Sequence, residues 1–474
     1  MDGTFQAANP SSTEQPPLRE LAADPLITRD YEARPALVYE SLRARHGAVA
    51  PVDLLGVPVW LALGYAEVLE VLQNRGRVWS KRLDAWRDYA EGRVPRDWPL
   101  LPALEVDHVV FQEGRRLEEL RGAYHAALRP FQDPSSPQAG ELRAATARYA
   151  DELIDVITEG GDSGFADLSA QYARPLPLMV VDRLLGFANG ADEEVLMDMW
   201  RVLDAGPDSG PALERLLSAL AGLAAAKMTR PGEDFPSYML AARPEFTVDE
   251  LSRELMMLVA VAGDFPGVLI SNTVVEVING GAGARESLSS GLIRETVNRV
   301  VMANPPMANL TMRCPSTDVR LGGRLIRAGE PVMLSVAAAH ADPAFTGGAD
   351  PSRSDRVYQT RAHLAWGAGP HHCLGVGLAT MIVEIAIERL FSRFGALSLT
   401  LPSDQLPWRS SPLMRGLRSL PVRYRVAPRP AQAAPAPRPA PADPGAPPAS
   451  AVSQPEQSRS ALWRFLRGLR RGGR

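Results

Sequence analysis

Cysteine is nearly absent from this chain. Cys314 and Cys373 are the two in 474 residues, too few for a disulfide framework and in keeping with a reducing compartment. Lysine is as scarce: Lys81 and Lys227 stand beside 49 arginines, a bias that a GC-rich genome explains without any binding role. No run approaches the roughly 18 uncharged apolar residues that a membrane span needs. The first twenty residues, MDGTFQAANPSSTEQPPLRE, hold no apolar core of a signal peptide. Together these absences point to a soluble, cytoplasmic body. Positive charge is also short there. The net charge of −4 divides into +6 for residues 428–474 and about −10 for the rest, which argues against a nucleic-acid-binding body.

Hydrophobic residues make up 45% and charged residues 22%, enough apolar material for a sizeable core in one large domain or a few ordinary ones. The composition breaks after LPVRYRV (420–426). Ten of the 28 residues from 428 to 455 are proline, and such a segment reads as an extended linker. Beyond it, SRSALWRFLRGLRRGGR carries Leu462, Trp463, Phe465, Leu466 and Leu469 among arginines, a basic amphipathic pattern suited to weak contact with an anionic membrane or a partner. The organisation expected is a flexible N-terminus over 1–21, a folded body over 22–427, a linker over 428–457 and a basic tail over 458–474.

The body reads mostly as helix. Helical spacing marks 66–73, 115–128, 141–157, 176–187 and 248–278, the last interrupted at Pro266. PVDLLGVPVWLAL (51–63) reads as a hairpin turning near Gly56, and 318–334 as a second strand cluster around Gly322-Gly323. The GGAG at 280–283 lacks phosphate-loop spacing and reads as a helix connection. The stretches 83–107 and 189–246 show the least pattern and are the expected pocket-lining segments.

HLAWGAGPHHCLGVGLATMIVEIAIERLF (363–391) is the informative segment. Gly367, Gly369 and Pro370 break regular structure just before Cys373, and a helical pattern opens at Leu374. A cysteine at a helix start has free N–H groups and the macrodipole to favour a thiolate. Gly375 leaves room for something flat and bulky. A zinc site on His371, His372 and Cys373 lacks a second ligand pair of suitable spacing. Cys314 reads as a packed small hydrophobe.

The run Trp366-Gly367-x-Gly369-x-His371-x-Cys373-x-Gly375 resembles the haem-ligand signature of the cytochrome P-450 family, with Trp366 where the family usually has Phe. The resemblance is colinear from about residue 22 to 427. It implies a mainly α fold with a smaller β region, haem b with Cys373 as axial iron ligand, and a bacterial-type monooxygenase acting on an apolar small molecule. Electrons would come from a ferredoxin and ferredoxin reductase. It assigns Arg121, Arg313 and His371 to the haem propionates; outside that framework each arginine reads as a surface charge. The histidine expected four residues before Arg121 is replaced by Leu117.

Two further departures matter. The E-x-x-R positions hold Arg299 and Met302. The distal A-G-x-acid-Thr motif reads Ala262-Gly263-Asp264-Phe265-Pro266, so Phe265 and Pro266 replace the acid and alcohol that guide protons. Asp264, displaced by about 100° around a helix, reads either as a substitute proton donor or as a partly solvated charge. His340, before the DP turn, is given no chemistry. Ser271, Asn272 and Thr273 lie too far along to replace the alcohol. Two alternatives follow from the missing pair: a degenerate haem-binding protein with a structural or regulatory role, or an enzyme that uses peroxide or rearranges its substrate.

Overall fold

The computed structural model describes residues 15–187, 193–204, 208–280, 288, 291–348 and 362–428. The linker from Arg429 onward, the basic tail and the GGAG beyond Gly280 lie outside the described residues. Of the N-terminal segment 1–21, residues 15–21 are described and dock rather than extend freely. Leu18 is buried, and its N–H reaches Glu330 at 2.8 Å, the same carboxylate that accepts from the Trp60 indole at 2.8 Å.

Helices dominate. The expected spans at 66–73, 115–128, 141–157 and 176–187 form as Tyr65–Gln73, Gly114–Gln132, Pro137–Thr158 and Pro175–Leu185. The stretch 189–246 is not irregular where described: it forms helices Glu193–Asp204, Ser209–Thr229 and Phe235–Ala242. The interruption expected at Pro266 is also absent. Val248–Asn279 runs unbroken for 32 residues, because packing on both sides outweighs one lost hydrogen bond. Its start is fixed by a capping box in which Thr247 and Glu250 bond each other's backbone N–H groups at 3.2 and 3.0 Å. This helix is apolar and long enough to cross a membrane, but 72% of its most apolar window is buried in protein.

The main core joins Gly114–Gln132, Pro137–Thr158, Pro175–Leu185 and the long helix to a C-terminal helix, Val376–Arg393. Fully buried Leu178, Val181, Ile270 and Ile382 lie in it, each withdrawing about 1.5–3 kcal/mol worth of apolar surface from water. Buried Tyr172 ties two layers by donating to Ala386 O at 2.7 Å. Where the long helix crosses the Ser169–Ala173 turn, a Cβ on Gly267 would sit 2.7 Å from Ala173 O, so only glycine permits that approach.

The smaller β region holds a six-stranded sheet in the order Asp24–Pro25, Val49–Asp53, Pro58–Ala62, Val332–Ser335, Asn309–Pro315, Trp79–Ser80. The expected hairpin is there, pairing Val49 with Ala62 and Asp53 with Pro58. A two-stranded hairpin, Val319–Leu321 with Arg324–Ile326, turns at Gly322 and Gly323, both with positive φ. One pairing matters for the site. Trp79 lies opposite Pro315 and Ser80 opposite Cys314, so Lys81 leaves this strand close enough to Arg313 to feel its charge.

Candidate haem-thiolate site

The cysteine loop is built from short hydrogen bonds. Gly367 N–H closes a turn onto Leu364 O at 2.8 Å, and Cys373 N–H returns to Trp366 O at 2.8 Å. Gly367 and Gly369 have φ of 70° and 65°, a region where L side chains are strained. Gly369 has a second reason: a Cβ there would meet Leu72 O at 2.4 Å. Trp366 packs on the main core. Cys373 does not begin the helix as its sequence implies. The helix opens at Val376 with Gly375 as cap, because the glycines hold the chain in a loop until then. The Gly375 N–H still points to the sulfur, 3.3 Å from Sγ.

The electrostatics correct a second expectation. Burial pushes the Cys373 thiol above its ordinary value, against the opposing pull of the Gly375 N–H and the Arg121 charge. Burial and the Gly375 N–H thus act on the sulfur in opposite directions, and a cation at the sulfur would add to the pull toward the thiolate. Among the described residues no three His, Cys, Asp or Glu side chains gather to hold a bare metal ion. Cys314 is buried, and burial lifts its thiol to about 12, the state of a packed apolar side chain.

Cations converge beside the loop. Arg121, on Gly114–Gln132, donates to His372 O at 2.8 Å. Arg313 is 5% exposed and donates to Thr311 O and Met312 O at 2.8 and 3.1 Å; burial lowers it to about 10. Lys81 is 9% exposed, its ammonium 5.5 Å from the Phe111 ring, and burial followed by the Arg313 charge holds it well below its usual value. His371 is driven to about 2 by burial and then by Lys81, Arg313 and Arg121; His108 falls to about 4 by burial and then Lys81. Glu113, whose carboxylate accepts from the Lys81 backbone N–H, is the acid acting on both Lys81 and Arg313. Arg121, Arg313 and His371, named from the sequence, come together here, and the structure adds Lys81 and His108 beside them. The signal for Lys81 is the pairing of the adjoining Trp79–Ser80 with Asn309–Pro315.

On the long helix, Met257, Ala260, Val261 and Phe265 recur at helical spacing and stay partly open, while Leu258, Val259, Gly263 and Asp264 are buried. Asp264 is neither a free proton donor nor a solvated charge. Its oxygens meet Arg409 at 2.8 and 3.3 Å and Arg174 at 3.8 Å, and the Arg174 guanidinium lies 4.2 Å from the Trp200 ring. The carboxylate anchors three segments because a charge at that depth has to be paired. Ser271 and Thr273 spend their hydroxyls on Gly267 O and Leu269 O, and Asn272 bonds Asn304 O and Arg415 O.

Ten residues before Asp264, Glu254 is 3% exposed and accepts from the Tyr124 hydroxyl at 3.0 Å and the Val109 N–H at 3.1 Å. Burial raises it from 4.5 to about 7. The folded state therefore holds a proton that the unfolded chain releases, so stability falls as pH rises from 4.5 to about 7. The loss is roughly 3 kcal/mol at 1.36 kcal/mol per pKa unit. Chemical unfolding at pH 5 and pH 8 should show that fall, and Glu254→Gln should flatten it. An unchanged slope in the variant assigns the pH dependence elsewhere.

A mainly α fold thus carries a cysteine on a glycine loop beside a cluster of cations. The model of the family described as Cytochrome P450 matches residues 303–426. The vitamin D(3) 25-hydroxylase of Pseudonocardia autotrophica is 30% identical over 408 residues, covering 84% of this chain and 95% of that protein. The cytochrome P450 monooxygenase PikC of Streptomyces venezuelae is 28% identical over 429 residues, covering 87% and 96%. Among solved structures, CYP154C4 from Streptomyces sp. W2061 superposes with a TM-score of 0.73 at 25% identity, covering 85% of this chain and 98% of that one. The chain belongs to the cytochrome P450 family and is a monooxygenase, an oxidoreductase with a haem-thiolate cofactor. The residues present fit that group. A Cβ on Gly375 would find only Cys373 Sγ, at 3.9 Å, within 4 Å, and Arg121, Arg313 and Lys81 outnumber Glu113, the acid that acts on two of them, a cationic excess that further carboxylates would balance.

Proposed function

We propose that this monooxygenase holds haem b through Cys373 and oxidises an apolar small molecule with electrons from a ferredoxin and its reductase. The observation that carries the reading is the Cys373 loop beside a cluster of two buried cations, Arg313 and Lys81, and half-buried Arg121 and His371. Cys373 Sγ would ligate the iron, with the Gly375 N–H tempering its charge. Trp366, Gly367 and Gly369 set the loop, and Gly375 would leave room for the cofactor beside Cys373. Arg121, Arg313, Lys81 and His371 would bind the two propionates, Lys81 supplying the cation that Leu117 does not. Haem bound there supplies the oxygen-activating redox chemistry. The apolar stripe of Met257, Ala260, Val261 and Phe265 would exclude water and favour an apolar substrate, and one relative is named for acting on vitamin D(3). Turnover of an apolar panel with a surrogate ferredoxin system, read by product analysis, tests this directly. Products formed only with polar or charged compounds would overturn the substrate class.

A second reading rests on Phe265, Pro266 and the tied Asp264: an enzyme that uses peroxide in place of dioxygen and reductant. Product formation from peroxide alone, faster than with the ferredoxin system, would favour it. The basic tail remains a proposed contact with anionic membranes.

The propionate assignment has its own test. A charge-assisted hydrogen bond contributes about 1.5–3 kcal/mol, so Lys81→Met should release haem to a scavenging globin roughly tenfold or more faster. The haem-free variant should gain stability, since it no longer buries two neighbouring cations. Haem release at the unmutated rate removes Lys81 from the site.

A further inference from the structure

Buried His340 is a titratable side chain that none of the foregoing uses. It sits on the short helix Val336–His340 with 1% of its surface exposed, and both ring nitrogens are engaged over long sequence distances. Nδ1 lies 3.0 Å from Met302 O, at the end of the helix Ile293–Ala303. Nε2 accepts the Leu364 N–H at 2.8 Å. Because the Leu364 amide can only donate, Nε2 carries no proton and Nδ1–H donates to Met302. Burial, with the nearby His363, holds the ring neutral by lowering it to about 3. The His363 ring lies 6.2 Å away, edge to face.

The path then continues to the sulfur. Leu364 O accepts from Gly367 N–H, and Trp366 O accepts from Cys373 N–H, both at 2.8 Å. A single imidazole thus joins the helix Ile293–Ala303 to the first residue of the cysteine turn. Met302 is the position where an arginine of the E-x-x-R pair would stand, so the tie leaves from the backbone of the residue whose side chain cannot make it.

We propose that His340 is the positioning residue that fixes the cysteine loop in this chain, a neutral two-ended brace in place of the absent ion pair. The inference rests on Cys373 being the iron ligand. The Leu364 bond is the operative half, because it alone touches the turn that carries Trp366 and Cys373. The Met302 bond orients the ring for it.

Three variants of the haem-loaded protein separate the halves. His340→Gln keeps an acceptor within reach of Leu364 and gives up the Met302 bond. His340→Asn does the reverse, and His340→Leu loses both. The readout is how long the ferrous carbon monoxide complex keeps the far red-shifted Soret band of thiolate ligation. The glutamine variant should match the unmutated protein, whereas asparagine and leucine lose the band about tenfold faster. Hydrogen exchange at the Leu364 amide should rise in the same two and not in the first. A remote core variant, Leu216→Ala, supplies a control of lowered melting temperature, Leu216 being fully buried in Ser209–Thr229. Equal band lifetimes in glutamine and asparagine, or lifetimes that follow melting temperature across all four, overturn the proposal. If the unmutated protein never shows the thiolate-type band, the ligand assignment fails instead, and Leu364 exchange still tests the brace.

Discussion

Cys373→Ala should bind haem weakly and show no far red-shifted Soret band in its ferrous carbon monoxide complex, with turnover at background. The sulfur is the one soft donor the loop presents, and the oxygen chemistry of this family depends on electron density pushed from a thiolate. His371 and His372 directly precede the position, and His371 stands among Lys81, Arg313 and Arg121, where the propionates are expected. A histidine-type spectrum in the unmutated protein would overturn Cys373 as ligand. The fold of the variant should persist, since the loop is held by backbone bonds from Gly367 and Cys373 that alanine retains.

The second large effect concerns economy of reductant. A positioned acid or alcohol contributes about 10²–10⁴ in proton transfer, and here the two positions hold Phe265 on the open face and Pro266 in the buried one. With dioxygen and a ferredoxin system, most reductant should be lost as hydrogen peroxide. The double variant Phe265→Glu with Pro266→Thr should raise the ratio of product to reductant several-fold. Pro266→Thr alone should also stabilise the protein, because an N–H becomes free to bond Ala262 O and a ring clash disappears, changes worth up to about 3 kcal/mol in a helix interior. If the unmodified protein already couples reductant to product almost completely, protons reach the iron by a route independent of these residues.

The elements legible in the sequence were those with contrast between faces. Tyr65–Gln73 and the hairpin around Gly56 follow from period alone. Ser209–Thr229 did not stand out, because SALAGLAAAK offers alanine on every side and no apolar stripe to count. At the site, Cys373 and its glycines form one short segment and could be read directly. Lys81 could not, since its meaning comes from the pairing of Trp79–Ser80 with Asn309–Pro315, about half the chain away. Asp264 was misread for a similar reason. Its partners Arg174 and Arg409 are supplied by segments that no local pattern connects. His340 belongs with them: nothing near it in sequence announces Met302 or Leu364.

The Asp264 anchor also bears on how this protein could be re-engineered. Arg409 lies in an irregular stretch before the last strand, an inviting place to randomise when widening access for new substrates. Yet its guanidinium is clasped by the long helix and shares that carboxylate with Arg174, itself stacked on Trp200. A library at 409 would unload a buried charge in the middle of the helix Val248–Asn279, and selected changes in product profile would mix the effect of the new side chain with a shift of that helix. Pairing each change at 409 with Asp264→Asn would let the two contributions be sorted.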